Sequence, residues 1–199
     1  MASAKTSPAP SGAATDPRIG RTRSAVHDAG LAILFEDGTS AVTHAALAAA
    51  TGLSRTTLYK HWPTRVDLLV DICDQIEQNV PPPLTGDARA DLLVMVDEMR
   101  QTLEEPRVLR VFSEMLAQAQ TDPEALELSN ALTGSGIERI GDLLAAAAAS
   151  GDLPDGIDPV ATSARLLGPL LFGALVTNRP TPPAEVVSIV DDWLATVRS

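Results

Sequence analysis

The stretch "GLSRTTLYKHWPTR" (52–65) gathers side chains that can read a polyanion. Arg55, Lys60 and Arg65 supply cations; Ser54, Thr56, Thr57 and Tyr59 supply hydroxyls; His61 adds a ring nitrogen. Lys and Arg can pair with guanine edges or phosphate, and Thr offers a hydroxyl beside a methyl that suits thymine. Tyr59 and hydroxyls at helix starts can reach phosphate oxygens. This is hydrogen bonding to nucleic acid, with no bond made or broken. No nucleophile is paired with a base anywhere in the chain, so no catalytic residue and no enzymatic activity are expected. The histidines at 27, 44 and 61 lack ligand-like spacing, and Cys73 is the single cysteine, so no metal site is expected. Asp152, Asp155 and Asp158 lack the spacing of a calcium loop. The "GSG" at 134–136 follows no strand, so no nucleotide cofactor is implied.

Such side chains need a scaffold. Ser54 caps a helix "RTTLYKHW" that Pro63 closes. At about 100° per residue, Leu58 and Trp62 fall within about 40° of each other and must face a core. Thr56, Thr57 and Lys60 fall on the far side. Leu53, ahead of the cap, can pack on Leu58 as a hydrophobic staple. The preceding helix, "HAALAAAT", is capped by Thr43, turns Leu47 inward and stops at Gly52. Two short helices, a tight glycine turn and a polar second helix describe a helix-turn-helix, whose second helix enters the major groove. Thr64-x-x-Asp67 opens the next helix with a capping box, and the Thr64 and Arg65 backbone N–H groups there suit a phosphate.

Charge divides the chain in the same place. The formal net charge is −11, yet residues 1–65 carry seven Lys/Arg against four acids, and the remainder carries eight against 22. A basic part that meets a polyanion and an acidic part with another task follow from that asymmetry. The apolar stock is mainly Ala, Leu and Val with few strand-like runs, so the chain is expected to be all-α, with about nine helices. Residues 1–17 read as a disordered arm, 18–65 as the DNA-binding domain and 66–199 as a larger helical domain. The expected helices cover 21–36, 44–51, 55–62, 64–78, 88–104, 106–121, 123–149, 159–176 and 183–197. "VPPPLTGD" (80–87) is a hinge, and "TGSG" (133–136) leaves open whether the seventh helix is continuous. One cysteine, no apolar run of membrane length and no apolar leader place the protein in the cytoplasm.

"THAALAAATGLSRTTLYKHWPTRVDLL" (43–69) resembles the signature of the TetR family of bacterial transcriptional regulators. The matching residues are Thr43, Leu47-Ala48, Gly52-Leu53-Ser54, Thr56-Thr57, Leu58-Tyr59, Trp62-Pro63-Thr64-Arg65 and Leu68-Leu69. It departs at Thr51, Trp62 and Arg65, where the family usually has Ala, Phe and Lys. The resemblance implies that Thr43, Tyr59 and Arg65 bind phosphates, and that His44, Arg55, Thr56, Thr57 and Lys60 face bases or nearby backbone. His61 is a further backbone candidate. Leu47, Leu53, Leu58 and Trp62 belong to the core.

The acidic part carries weaker signals. Met99, Phe112, Met115 and Leu116 lie on apolar stripes and are candidates to line a pocket for an apolar effector, since Met is adaptable; plain core is the competing reading. The last two helices are more apolar than a terminus needs. Leu167, Leu171, Leu175, Val186, Val190 and Trp193 are candidates for a two-fold interface. The expected function is a homodimeric, sequence-specific DNA-binding regulator of a palindromic operator, a repressor released by a small molecule. The alternative is a helical protein-interaction module with a vestigial helix-turn-helix.

Overall fold

The computed structural model describes residues 17–76 and 83–198. Most of the expected arm (1–17) and the start of the Pro-rich hinge lie outside them; Pro17 opens the first helix. Among the described residues the chain is all-α: α1 (Pro17–Asp37), a 3-10 turn (Thr39–Ala41), α2 (His44–Thr51), α3 (Arg55–His61), α4 (Arg65–Cys73), α5 (Ala88–Glu104), α6 (Pro106–Gln118), α7 (Pro123–Ser150), α8 (Pro159–Leu175) and α9 (Pro183–Val197). Helix starts follow local chemistry. Thr43, Ser54, Thr64, Asp87, Asp122 and Asp158 each accept a hydrogen bond from the first turn, and α6 to α9 all open on proline. α7 runs unbroken through Gly134 and Gly136, which resolves the question "TGSG" left open.

Two apolar clusters organise these helices. The first joins Val26 and Leu34 of α1, Leu47 of α2, Leu58 of α3, and Val66, Leu68, Leu69 and Ile72 of α4 with Trp62. It also takes Val111 and Met115 from α6 and Leu128 from α7. The second joins α5, the later half of α7, α8 and α9 through Leu92, Val96, Ile140, Leu143, Leu166, Leu170, Val190 and Trp193. The first cluster therefore does not stop at Arg65, where the sequence suggested a boundary, because α4 turns its apolar stripe back onto α1. That crossing is close: a Cβ on Gly30 would sit 2.4 Å from Cδ1 of Ile72. α6 and α7 serve both clusters and form the physical connection between the units.

Candidate nucleic-acid interface

The α2–α3 corner is built from its caps. The Thr43 hydroxyl accepts from the Ala46 N–H at 3.1 Å, and Ser54 accepts from Thr57 at 3.1 Å. Between them Gly52 takes the left-handed conformation (φ 72°), where a Cβ would be strained, and its N–H donates to the Ala48 carbonyl at 3.0 Å. Leu47 and Leu58 are fully buried, and Leu53 packs partly buried against the same cluster. Together they fix the second helix against the first. On the far side Ser54, Arg55, Thr56, Tyr59, Lys60 and His61 are exposed. Thr57 is half-buried, and its hydroxyl shares a 2.8 Å hydrogen bond with Ser54. Thr43, also half-buried, keeps a hydroxyl proton to donate outward, because its cap bond uses only a lone pair.

Two of the expected contact residues, His44 and Arg65, are engaged by partners within the fold. His44 is only 5 % exposed, and its Nε2 lies 2.7 Å from the Trp62 carbonyl oxygen. Its ring stacks on that of Tyr59, with centroids 4.0 Å apart and planes 16° off parallel. His44 is thus beneath the exposed face, not on it. Arg65 donates from Nε to the Val42 carbonyl at 2.8 Å, from Nη2 to the Thr39 carbonyl, and from Nη1 to Glu124 Oε2 at 2.9 Å. Its guanidinium fork ties the turn before α2 to the start of α7. The Thr64 N–H is likewise spent, donating to Asp67 Oδ2 at 2.9 Å. Hydrogen bonds from Thr64 hold the Asp67 carboxyl below the ordinary aspartate value. The start of α4 therefore already holds an anion of its own.

Sequence reasoning missed the polar centre under this face. Asp71 of α4 lies buried where Arg23 and His27 of α1 meet the Trp62 indole. Its Oδ2 accepts from Trp62 Nε1 at 2.9 Å and lies 2.6 Å from His27 Nε2, and Arg23 donates to both carboxylate oxygens. Burial alone would raise the Asp71 value, but the Arg23, His27 and Trp62 hydrogen bonds outweigh it and hold the carboxyl low. The available signal was the indole itself, since a buried Trp N–H needs an acceptor. Asp71 is the acid set among the buried Leu68, Leu69 and Ile72.

The candidates in the larger domain divide between the two clusters. Met99 packs on the second cluster, Phe112 and Met115 pack with the first, and Leu116 is half-buried on α6. A cleft of about 260 Å³ lies instead at the junction, lined by Thr39, Ser40, Arg65, Met115, Gln118 and Glu124 among others. The proposed interface residues divide in a similar way. Val186, Val190 and Trp193 are buried in the chain's own second cluster, which corrects their assignment to a partner-facing surface. Leu167 and Leu171 rest partly buried on that cluster, and Leu175 is half-buried. Outward apolar side chains on these last two helices include Val160 (57 % exposed) and Phe172 (59 %) of α8, Val176 (67 %) just past its end, and Val187 of α9.

This architecture has known counterparts. Residues 26–72 match the family described as bacterial regulatory proteins, tetR family, and residues 82–193 match the tetracyclin repressor-like C-terminal domain. An uncharacterized HTH-type transcriptional regulator of Mycobacterium bovis, Mb1581, is 27% identical over 168 residues, spanning 81% of this chain and 80% of that protein. The crystal structure of the TetR family transcription regulator SCO0332 superposes with a TM-score of 0.71 at 26% identity, covering 88% of this chain and 96% of that one. The flavonoid-responsive regulator FrrA shares the fold with a TM-score of 0.61 at 21% identity, covering 89% and 95%. With both parts matched in order along one all-helical chain, the protein belongs to the TetR family of DNA-binding transcriptional regulators.

Proposed function

We propose that this regulator is a repressor that binds a palindromic operator as a homodimer, with α3 in the major groove. The observation that carries the reading is the outward face of α3. Arg55, Thr56, Tyr59 and Lys60 are exposed on a helix whose opposite side is fully buried. Arg55 and Lys60 make no ion pair with another described residue. They remain available for base edges or phosphates, with Thr56 beside them as a base reader. Thr43, Ser54 and Tyr59 supply hydroxyls to the backbone, and His61 extends the exposed face. One such helix reads only a few base pairs, so specificity needs two half-sites about 34–36 Å apart. Regulators of this family act as dimers. The exposed Phe172 and Val176, on α8 and at its C-terminal end, mark the surface we assign to the partner copy.

Release by a small apolar effector is our reading of the larger domain. The link would run through α6 and α7, which pack into both clusters, and through the Arg65–Glu124 ion pair. An effector that favours one arrangement of these helices changes half-site spacing, and so operator affinity, by its differential binding alone.

The test is selection of duplexes from a randomised library by the full-length protein, followed by electrophoretic shift. A two-fold-symmetric consensus is expected. Retention of duplexes without any shared sequence would remove the claim of specific readout.

A further inference from the structure

We propose that His44 is a positioning residue for Tyr59, a stacking platform that aims the phenol at the DNA backbone. The proposal rests on the reading that Tyr59 meets a phosphate. Tyr59 is 51 % exposed near the middle of α3. A phenol so placed would ordinarily exchange between rotamers and lose that freedom on binding. Here its ring lies flat on the His44 imidazole, 4.0 Å between centroids and 16° from parallel.

The platform is itself held in place. His44 Nε2 faces the Trp62 carbonyl at 2.7 Å, so this nitrogen carries the proton and donates. That carbonyl belongs to the residue ending α3, where backbone oxygens lack helical partners. Trp62 is anchored in turn, its Nε1–H donating to Asp71 at 2.9 Å. A continuous series of contacts thus runs from the buried carboxylate, through the Trp62 backbone and the His44 ring, to the phenol. His44 belongs to α2 and Tyr59 to α3, so the stack also fixes one helix against the other. A histidine serving only to cap α3 would need the 2.7 Å bond but not the parallel ring.

Tyr59 is the only tyrosine in the chain, which makes its environment directly observable. The full-length protein labelled with 3-fluorotyrosine gives a single ¹⁹F resonance. In the native protein it is expected away from its urea-unfolded position, and His44→Gln, which keeps a hydrogen-bond donor but removes the ring, moves it toward that position. Fluorescence anisotropy with a duplex selected by the wild-type protein supplies the second readout. Tyr59→Phe weakens binding about tenfold, the loss of roughly one hydrogen bond from each half of a dimer. His44→Gln weakens it similarly, and the double variant falls little further. His44→Phe keeps a flat ring and restores at least half of the loss on a logarithmic scale; it also serves as the test variant if His44→Gln does not fold. Wild-type affinity in His44→Gln beside a weakened Tyr59→Phe overturns the positioning role, as does additivity of the two losses. Wild-type affinity in Tyr59→Phe overturns the phosphate reading, and the positioning role with it.

Discussion

At the scale of single residues, the buried carboxylate of Asp71 governs the DNA-binding unit. It accepts from Arg23, His27 and Trp62 at once, so Asp71→Asn should cost about 2 kcal/mol in denaturant unfolding, in the range for hydrogen bonds to charged groups. The sign of its pH dependence follows from its lowered value. The contribution is complete above the ordinary aspartate value of 3.8 and is lost as pH falls through the lower folded value. Asp71→Asn should therefore reduce the stability lost on acidification, measured as unfolding midpoint against pH. Cys73 behaves oppositely as a chemical group: burial and the neighbouring Asp74 push its thiol up to about 12. The native protein should then react with a thiol reagent at pH 8 far more slowly than the unfolded protein, because the thiolate is the nucleophile. Residue types announced the α3 face directly, as Arg55, Lys60 and Tyr59 stand where helical periodicity puts them. The intramolecular partners of Arg65 and His44 were not legible because periodicity assigns a direction from a helix axis and not a partner. Their acceptors, the carbonyls of Thr39, Val42 and Trp62, come from other segments of the chain.

At the scale of elements, boundaries were legible wherever a cap or a proline marks them. α2, α3 and α4 start where Thr43, Ser54 and Thr64 stand, and α6 to α9 start on proline. Which face of a doubly apolar helix looks inward was not legible. α9 could have offered Val186, Val190 and Trp193 to a partner, but packing against α5 and α8 takes them first. The α8 face left outward gives a clean test of assembly. Phe172→Asp with Val176→Asp should convert the dimer to monomer in light scattering after size exclusion, while the helical signal stays within error, since both side chains are exposed. The junction offers a second contrast. Arg65→Ala removes hydrogen bonds to two backbone carbonyls and should cost about 2 kcal/mol. Glu124→Gln leaves those bonds intact and should cost less than about 1 kcal/mol, as expected for a half-exposed ion pair.

At the scale of the whole molecule, the charge division now has a structural meaning. The basic minority presents α3, and the acidic majority forms α4 and the α5–α9 body that follows it in the chain. Uniform attraction to DNA cannot explain binding by a chain of net charge −11; the placement of a few cations must. Affinity should accordingly fall steeply with salt, with a logarithmic slope of roughly −0.9 per phosphate neutralised. The most direct measurement is anisotropy of a selected operator duplex with wild-type protein and the Arg55→Ala/Lys60→Ala double variant, each titrated across a salt series. The double variant should bind at least about 100-fold more weakly and give a shallower salt slope, while its thermal unfolding is unchanged. Wild-type affinity and slope in that variant would contradict α3 as the reading helix.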